Sequence, residues 1–101
     1  MLRRGTRIRS GSGRFDLKFV AKDPGIARLG CVVPKRLTPL AVRRNRLKRV
    51  IREAFRVCRD RLPDGDIVVR QIAKVTDPYE LELSQEIKEL FARLAYGERA
   101  V

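Results

Sequence analysis

The sequence predicts a small α+β domain with elements in the order β-β-α-β-α, a sheet of three to four strands and helices packed on one side of it. Three observations predict this. Apolar and polar residues alternate along residues 15–20, apolar residues recur every three or four positions in residues 41–58, and residues 67–69 are β-branched. The length of 101 residues is near the usual size of a single domain.

The first thirteen residues are rich in Arg, Gly and Ser, and we expect them to form a flexible basic arm that could hold a short strand at Arg7–Arg9. The domain itself is assigned to residues 14–96. Residues 97–101 are then a tail.

The first main strand is predicted from the alternation of Phe15, Leu17 and Phe19 with polar neighbours, which is typical of a half-buried strand. Asp23-Pro24-Gly25 has the composition of a turn. A second apolar strand follows at residues 28–33. The simplest interpretation is a hairpin of these two strands.

The long helix is predicted to begin at Thr38, as a hydroxyl cap followed by Pro39, and to end near Arg61. Its apolar stripe comprises Leu47, Val50, Ile51, Ala54 and Cys58.

Residues 66–72 are predicted to form the third main strand. Asp77-Pro78-Tyr79-Glu80 resembles a capping box that opens the last helix. The apolar stripe of that helix comprises Leu83, Ile87, Leu90, Phe91 and Leu94.

Charge is the strongest global feature. The chain has 24 Lys and Arg against 12 Asp and Glu, a net charge of +12. Residues 1–61 hold 19 basic and 4 acidic side chains, so the excess is concentrated in one part of the chain. Such a concentrated positive field indicates a polyanionic partner, most commonly a nucleic acid.

Several classes of function are disfavoured. The chain contains no histidine, the usual general base and a frequent zinc ligand, and its carboxylates form no catalytic cluster. We therefore expect no catalytic residue and no metal site on this chain, and no small-molecule ligand. Cys31 and Cys58 lie in apolar patterns and are expected to be reduced core residues. No apolar run approaches the roughly 18 residues that a membrane span needs. The basic N-terminus also lacks the apolar run of a signal peptide, so we expect a cytoplasmic protein.

The long helix carries a nearly pure cationic face. At roughly 100° per residue, six polar residues fall opposite the apolar stripe. They are Asn45, Lys48, Arg49, Arg52, Arg56 and Arg59. Only Glu53 and Asp60 are acidic between Lys35 and Arg61, so like charges repel along the face. Arginine binds phosphate through two nitrogens, and the Asn45 amide can bind a base edge or a 2′-hydroxyl.

The run Arg44-Asn45-Arg46-Leu47-Lys48-Arg49, followed by Ile51-Arg52-Glu53 and Phe55-Arg56, resembles the signature of the bacterial ribonuclease P protein component. Upstream, Val32-Val33 and then Pro34-Lys35-Arg36 resemble the family's strand and following cations. Downstream, Asp66–Val69 resembles the family's next strand. The resemblance covers about residues 14–95.

The resemblance implies a mixed sheet with a left-handed β-α-β crossover. It also implies a catalytic RNA subunit that uses Mg²⁺ to cut the 5′ leader from precursor tRNA, and a protein subunit that binds both RNAs. The implied RNA-binding residues are Lys35, Arg36, Arg44, Asn45, Arg46, Lys48, Arg49, Arg52 and Arg56. In the family the leader lies in a cleft between the sheet and the basic helix, where Asp16, Lys18 and Val20 are candidate contacts.

The sequence departs from the family pattern in two places. Family members usually begin with a short helix that carries a pair of phenylalanines, whereas this sequence begins at the basic arm. We expect either that one wall of the leader cleft is missing, or that the chain is truncated or its start misassigned. Pro34 replaces a residue that is typically Ser or Ala, and Pro39 enters the loop before the helix.

Two alternatives remain open from the residues alone. A small ribosomal or ribosome-associated RNA-binding protein would have the same size and basicity. A DNA-binding regulator would place the basic helix in a major groove, but the predicted elements include neither a preceding helix-turn unit nor a zipper.

Overall fold

A computed structural model describes residues 5–22 and 25–97 of the chain. The described part contains four strands, two α-helices and one 3₁₀ turn. Their bounds are β1 Thr6–Arg9, β2 Phe15–Ala21, β3 Ala27–Val32, α1 Ala41–Cys58, a 3₁₀ turn Arg59–Arg61, β4 Gly65–Gln71 and α2 Leu81–Ala95.

The four strands form one mixed sheet in the order β1-β2-β4-β3. β2 pairs antiparallel with both β1 and β4, and β3 pairs parallel with β4. The predicted hairpin between the first two main strands is therefore wrong, because β4 lies between them. In β4 the side chains alternate between buried and half-buried, which suits a central strand. Asp23 and Pro24 of the predicted turn lie outside the described residues.

The predicted mixed α+β sheet is confirmed, and the parallel pair β3 and β4 is joined through α1 as a β-α-β unit. The left-handed sense of this crossover stays a prediction from the resemblance.

Residues 6–9 of the predicted basic arm form β1 and belong to the sheet. Ile8 is 1% exposed and lies opposite Leu17 of β2, so its burial holds the strand in the sheet. A possible strand in this region was predicted at Arg7–Arg9, and the structure has it one residue longer. Of the predicted tail, only Gly97 is among the described residues.

The start of α1 differs from the prediction. Thr38 does not cap the helix, since its hydroxyl donates a buried hydrogen bond of 2.8 Å to Gln71 Oε1 at the end of β4. The helix begins three residues later, after the extended residue Leu40. The predicted end near Arg61 is confirmed, because α1 continues directly into the 3₁₀ turn.

The predicted capping box before α2 is also wrong. Asp77 Oδ1 accepts a hydrogen bond of 2.9 Å from the Tyr79 backbone N–H, which makes a turn ahead of the helix. Glu80 is extended and makes no side-chain cap; its carboxylate binds Arg14 Nη1 at 2.8 Å. The helix itself begins at Leu81.

Both predicted apolar stripes are confirmed and face one side of the sheet. Leu47, Val50, Ile51 and Ala54 of α1 are buried, and so are all five predicted residues of α2. Phe55 of α1 packs edge-to-face on Phe91 of α2, with ring centroids 5.9 Å apart. The free thiols Cys31 and Cys58 are half-buried and pack against this core. The helices therefore form one layer and the sheet the other.

Arg14 fastens the start of β2 to α2. Its guanidinium binds Glu80 and, at 2.7 Å, Glu86 of α2. Burial acts to raise the pKa of Glu86, but hydrogen bonds from Ser10, Ser12 and Arg14 outweigh it and lower the pKa below the ordinary value of 4.5. The ionised carboxylate is thus the form that the fold stabilises.

This pKa shift gives a pH-dependent stability. Because the folded state lowers the pKa of Glu86, its contribution is present above pH 4.5 and is lost as pH falls below that value. Glu86→Gln should cost about 1 kcal/mol at neutral pH, and its difference from wild type should shrink in acid. Urea denaturation across pH measures this. Glu89→Gln, an exposed site on the same helix, is the control; a Glu86 difference that does not change with pH would contradict the assignment.

The orientation of α1 is tested by placing a charge on its buried stripe. Leu47 is 2% exposed, so Leu47→Asp should destabilise the domain by about 3–5 kcal/mol because it buries an unpaired carboxylate. Val57, on the same helix, is 55% exposed, and Val57→Asp should change stability by less than about 0.5 kcal/mol. Equal stability of the two variants, measured by denaturant titration, would show that the wrong face has been identified.

Candidate nucleic-acid interface

The outer face of α1 and the 3₁₀ turn that follows it present five cations, which we call the cationic row: Lys48, Arg49, Arg52, Arg56 and Arg59. All are exposed except Lys48, which is half-buried. The row faces outward because the apolar stripe on the other side of the helix is buried in the core. The predicted exposure of this face is therefore correct.

Within the described residues, one ion pair involves the cationic row. Arg56 Nη2 binds Glu53 Oε1 at 2.6 Å, and this contact lowers the pKa of Glu53. In the part of the chain that the structure describes, no ion pair forms to Lys48, Arg49 or Arg52. Each like-charged pair one helical turn apart costs about 0.2–0.5 kcal/mol. An anionic partner would offset this repulsion.

Arg44 has a structural role that sequence reasoning missed. Its Nη1 donates to the backbone carbonyl oxygens of Thr38 and Pro39, at 3.0 and 2.6 Å. The guanidinium thus holds the loop that leads into α1, where no side-chain cap is present. The half-buried Arg44 therefore positions the start of the helix and is not part of the cationic row.

Arg46 also turns away from the row. Its Nε donates to the backbone carbonyl oxygen of Pro78 at 3.3 Å, and its guanidinium carbon lies 5.1 Å from the ring centroid of Tyr79. This contact joins α1 to the loop before α2 and leaves a pocket of about 230 Å³ between them. The pocket is lined by Val42, Asn45, Arg46, Arg49 and Tyr79. Tyr79 is not among the residues predicted from the sequence. The feature that could have indicated it is an aromatic residue next to a proline in a polar loop.

The other predicted RNA-binding residues, Lys35 and Arg36, are exposed on the turn between β3 and α1. This turn is fixed by hydrogen bonds from the backbone N–H groups of Leu37 and Thr38 to the carbonyl oxygen of Pro34, at 3.1 and 3.0 Å. Pro34 is therefore part of the turn, which it stabilises through its carbonyl oxygen.

The candidate leader residues Asp16, Lys18 and Val20 lie on the open face of the sheet, as predicted from alternation. They differ in accessibility. Lys18 is exposed and Val20 half-buried, but Asp16 is only 1% exposed. Its Oδ2 binds Arg70 Nη2 at 2.7 Å and lies 3.9 Å from Arg7 Nε. Asp16 therefore holds two arginines across neighbouring strands, and its carboxylate is removed from solvent.

The open face is also not adjacent to α1. The core fills the space between the sheet and α1, and the three candidate leader residues point to the opposite side. The expected cleft between the sheet and the basic helix is therefore wrong as a location for them. Paired residues of neighbouring strands share a face of the sheet. Arg7 and Arg70 therefore lie on the open face with Lys18, although neither was predicted from the sequence as part of this surface.

No α-helix in the described ranges 5–22 and 25–97 is long and apolar enough to cross a membrane. Within those ranges there is also no group of three or more Cys, Asp or Glu side chains that could hold a metal ion.

The comparisons with known proteins agree with one another. The family model of Ribonuclease P matches residues 1–95. The ribonuclease P protein component of Halorhodospira halophila is 46% identical over 89 residues, which cover 88% of this chain and 73% of the relative. Shorter matches to other curated relatives span between 43% and 57% of the relatives' length.

Solved structures of the same family have the same fold. The RNase P protein of Staphylococcus aureus superimposes with a TM-score of 0.73 at 27% identity, over 89% of this chain and 83% of that one. The RNase P protein of Thermotoga maritima gives a TM-score of 0.70 at 30% identity, over 88% and 83%. The chain therefore belongs to the ribonuclease P protein family, whose members serve as the protein subunit in the maturation of tRNA 5′ ends.

Proposed function

We propose that this chain binds the RNA subunit of ribonuclease P through α1 and supports removal of the 5′ leader from precursor tRNA. The observation that carries the proposal is the cationic row, which is held outward by a buried stripe and for which Glu53 is the one ion-pair partner among the described residues. Family membership favours this function over the ribosomal and DNA-binding alternatives, and it supports a cytoplasmic site of action.

Arg49 and Arg52 are the strongest candidates for direct RNA contact. Both are exposed and make no ion pair within the described residues, so their guanidinium groups are available to bind phosphate bidentately. Arg44 and Arg46 would act differently. The contact of Arg44 fixes the loop that leads into α1, and the contact of Arg46 joins α1 to the loop before α2, so together they position the helix that carries the row.

The open face of the sheet is the proposed surface for the 5′ leader. Lys18 is exposed, and Asp16 holds the Arg70 guanidinium across the neighbouring strand. A single strand of RNA would meet cations there, together with apolar surface from Val20 and Val68. Asp16 acts as a positioning residue because its carboxylate is already paired with Arg70 and Arg7.

Catalysis is proposed to reside on the RNA subunit. The sequence has no histidine, and the described residues offer no acidic cluster that fits a bound metal ion. Mg²⁺ would therefore be held by the RNA subunit and the substrate, where it supplies Lewis-acid chemistry. The chain's own contribution is to bring positive charge to two RNAs, which reduces their repulsion.

The cationic row is tested by binding measurements. Arg49→Ala and Arg52→Ala should each weaken binding to a bacterial ribonuclease P RNA and lower the slope of log affinity against log salt by about one, because each removes a phosphate contact. Stability should change by less than about 0.5 kcal/mol. Lys74→Ala, an exposed site outside α1, is the control. A collapsed circular-dichroism melt for the α1 variants would instead make these residues structural.

The function is tested by precursor-tRNA cleavage at low Mg²⁺ with a bacterial ribonuclease P RNA, in the presence and absence of the protein. We expect the protein to stimulate cleavage and the Arg49→Ala/Arg52→Ala double variant to lose the stimulation, because protein cations replace part of the required metal charge. The Lys74→Ala protein should stimulate as wild type does. Good RNA binding without any stimulation would contradict the proposed function.

A further inference from the structure

The pocket between α1 and the loop before α2 combines an aromatic ring, an amide and two guanidinium groups in a small space. Its volume of about 230 Å³ is below the roughly 300–1,000 Å³ that is usual for drug-sized ligands. Tyr79 forms one wall, and Val42, which is 64% exposed, provides apolar surface beside it. The size and the lining suit one planar, partly polar group.

Tyr79 is held in place although it is exposed. Its backbone N–H binds Asp77 Oδ1 at 2.9 Å, and the Arg46 guanidinium lies over its ring. Arg46 is itself held by the Pro78 carbonyl oxygen. Tyr79 nevertheless remains 57% exposed, so ring surface is still available. An aromatic ring fixed in this way offers a stacking platform at low entropic cost.

The polar groups of the pocket suit a nucleobase better than an apolar peptide side chain. The Asn45 amide can both donate and accept hydrogen bonds, as the edge of a base requires. Arg49 also belongs to the cationic row, so a strand whose phosphates follow the row reaches the pocket at Arg49. Stacking on an aromatic side chain is the usual way in which proteins hold unstacked bases of RNA.

We propose that this pocket takes one unstacked nucleobase of a bound RNA, stacked on Tyr79, with Asn45 at the base edge and Arg49 at the adjoining phosphate. This inference rests on the proposed function and names a ligand for one end of the same surface. The base could belong to the RNA subunit or to the precursor tRNA, and both present the same chemistry to the pocket.

The experiment uses the fluorescence of Tyr79. The chain has no Trp and only two Tyr residues, so in the full-length Tyr96→Phe protein Tyr79 is the sole strong emitter. Tyr96 is 86% exposed and does not line the pocket. Hexaadenylate RNA should quench this emission on binding, whereas an abasic hexamer with the same number of phosphates should not. Binding is followed separately by the anisotropy of labelled RNA. Saturation with hexaadenylate and no quenching would overturn the proposal.

Variants give a second, independent measurement with ribonuclease P RNA. Tyr79→Ala should weaken binding by about 5-fold to 140-fold, the range expected for one stacked base. The salt slope should stay unchanged, because no phosphate contact is lost. Tyr79→Phe keeps the ring and should bind as wild type does. Wild-type affinity of Tyr79→Ala would overturn the proposal and leave open a protein partner for the pocket.

The two proposals can fail separately. If ribonuclease P RNA binds and supports cleavage without quenching Tyr79, the pocket assignment fails and the proposed function stands. If that RNA does not bind but hexaadenylate still quenches, the proposed function fails and the pocket assignment stands. Quenching by precursor tRNA alone, and not by the RNA subunit, would assign the base to the substrate.

Discussion

The burial of one side of α1 against the sheet is the constraint on which the rest of the structure depends. Leu47 and Ile51 are almost completely removed from water, and each such side chain is worth about 1.5–3 kcal/mol. This fixes the rotation of the helix about its axis. The cationic row is consequently presented as a rigid surface. Its cations repel one another, and the burial of the core compensates for the free energy of this repulsion. The fold thus holds in place a set of charges that would not stay together on an isolated helix.

The helices and strands could be predicted from patterns among residues close in sequence. Which strands pair with one another could not. The stripes of both helices follow from a period of three to four residues, which requires only neighbours in the chain. The placement of β4 between β2 and β3 depends on contacts far apart in sequence, which no local pattern encodes. The predicted helix caps were wrong for a related reason. Thr38 and Asp77 are residues that commonly cap helices, but Thr38 donates its hydrogen bond to Gln71, and Asp77 accepts one within a turn.

The candidate site divides along the same line. The exposure of Arg49 and Arg52 follows from helical geometry alone, so the sequence was sufficient for them. Arg44 and Arg46 belong to the same run of charges, yet they bind loop carbonyl groups whose positions are set by tertiary structure. Asp16 was correctly placed on the open face, but its arginine partners come from two other strands. A motif therefore identifies a surface more readily than it identifies the role of each residue on it.

The two helices differ in charge, and this has a consequence for how RNA is approached. α1 carries the cationic row, whereas α2 carries exposed carboxylates such as Glu82 and Glu89. The layer formed by the two helices therefore has a dipolar charge distribution whose positive end is at α1. A polyanion exerts a torque on such a dipole before contact, and the torque weakens beyond a screening length of about 8 Å at physiological salt. Diffusional encounters would thus begin with α1 already turned toward the RNA, which shortens the rotational search that limits most macromolecular association rates.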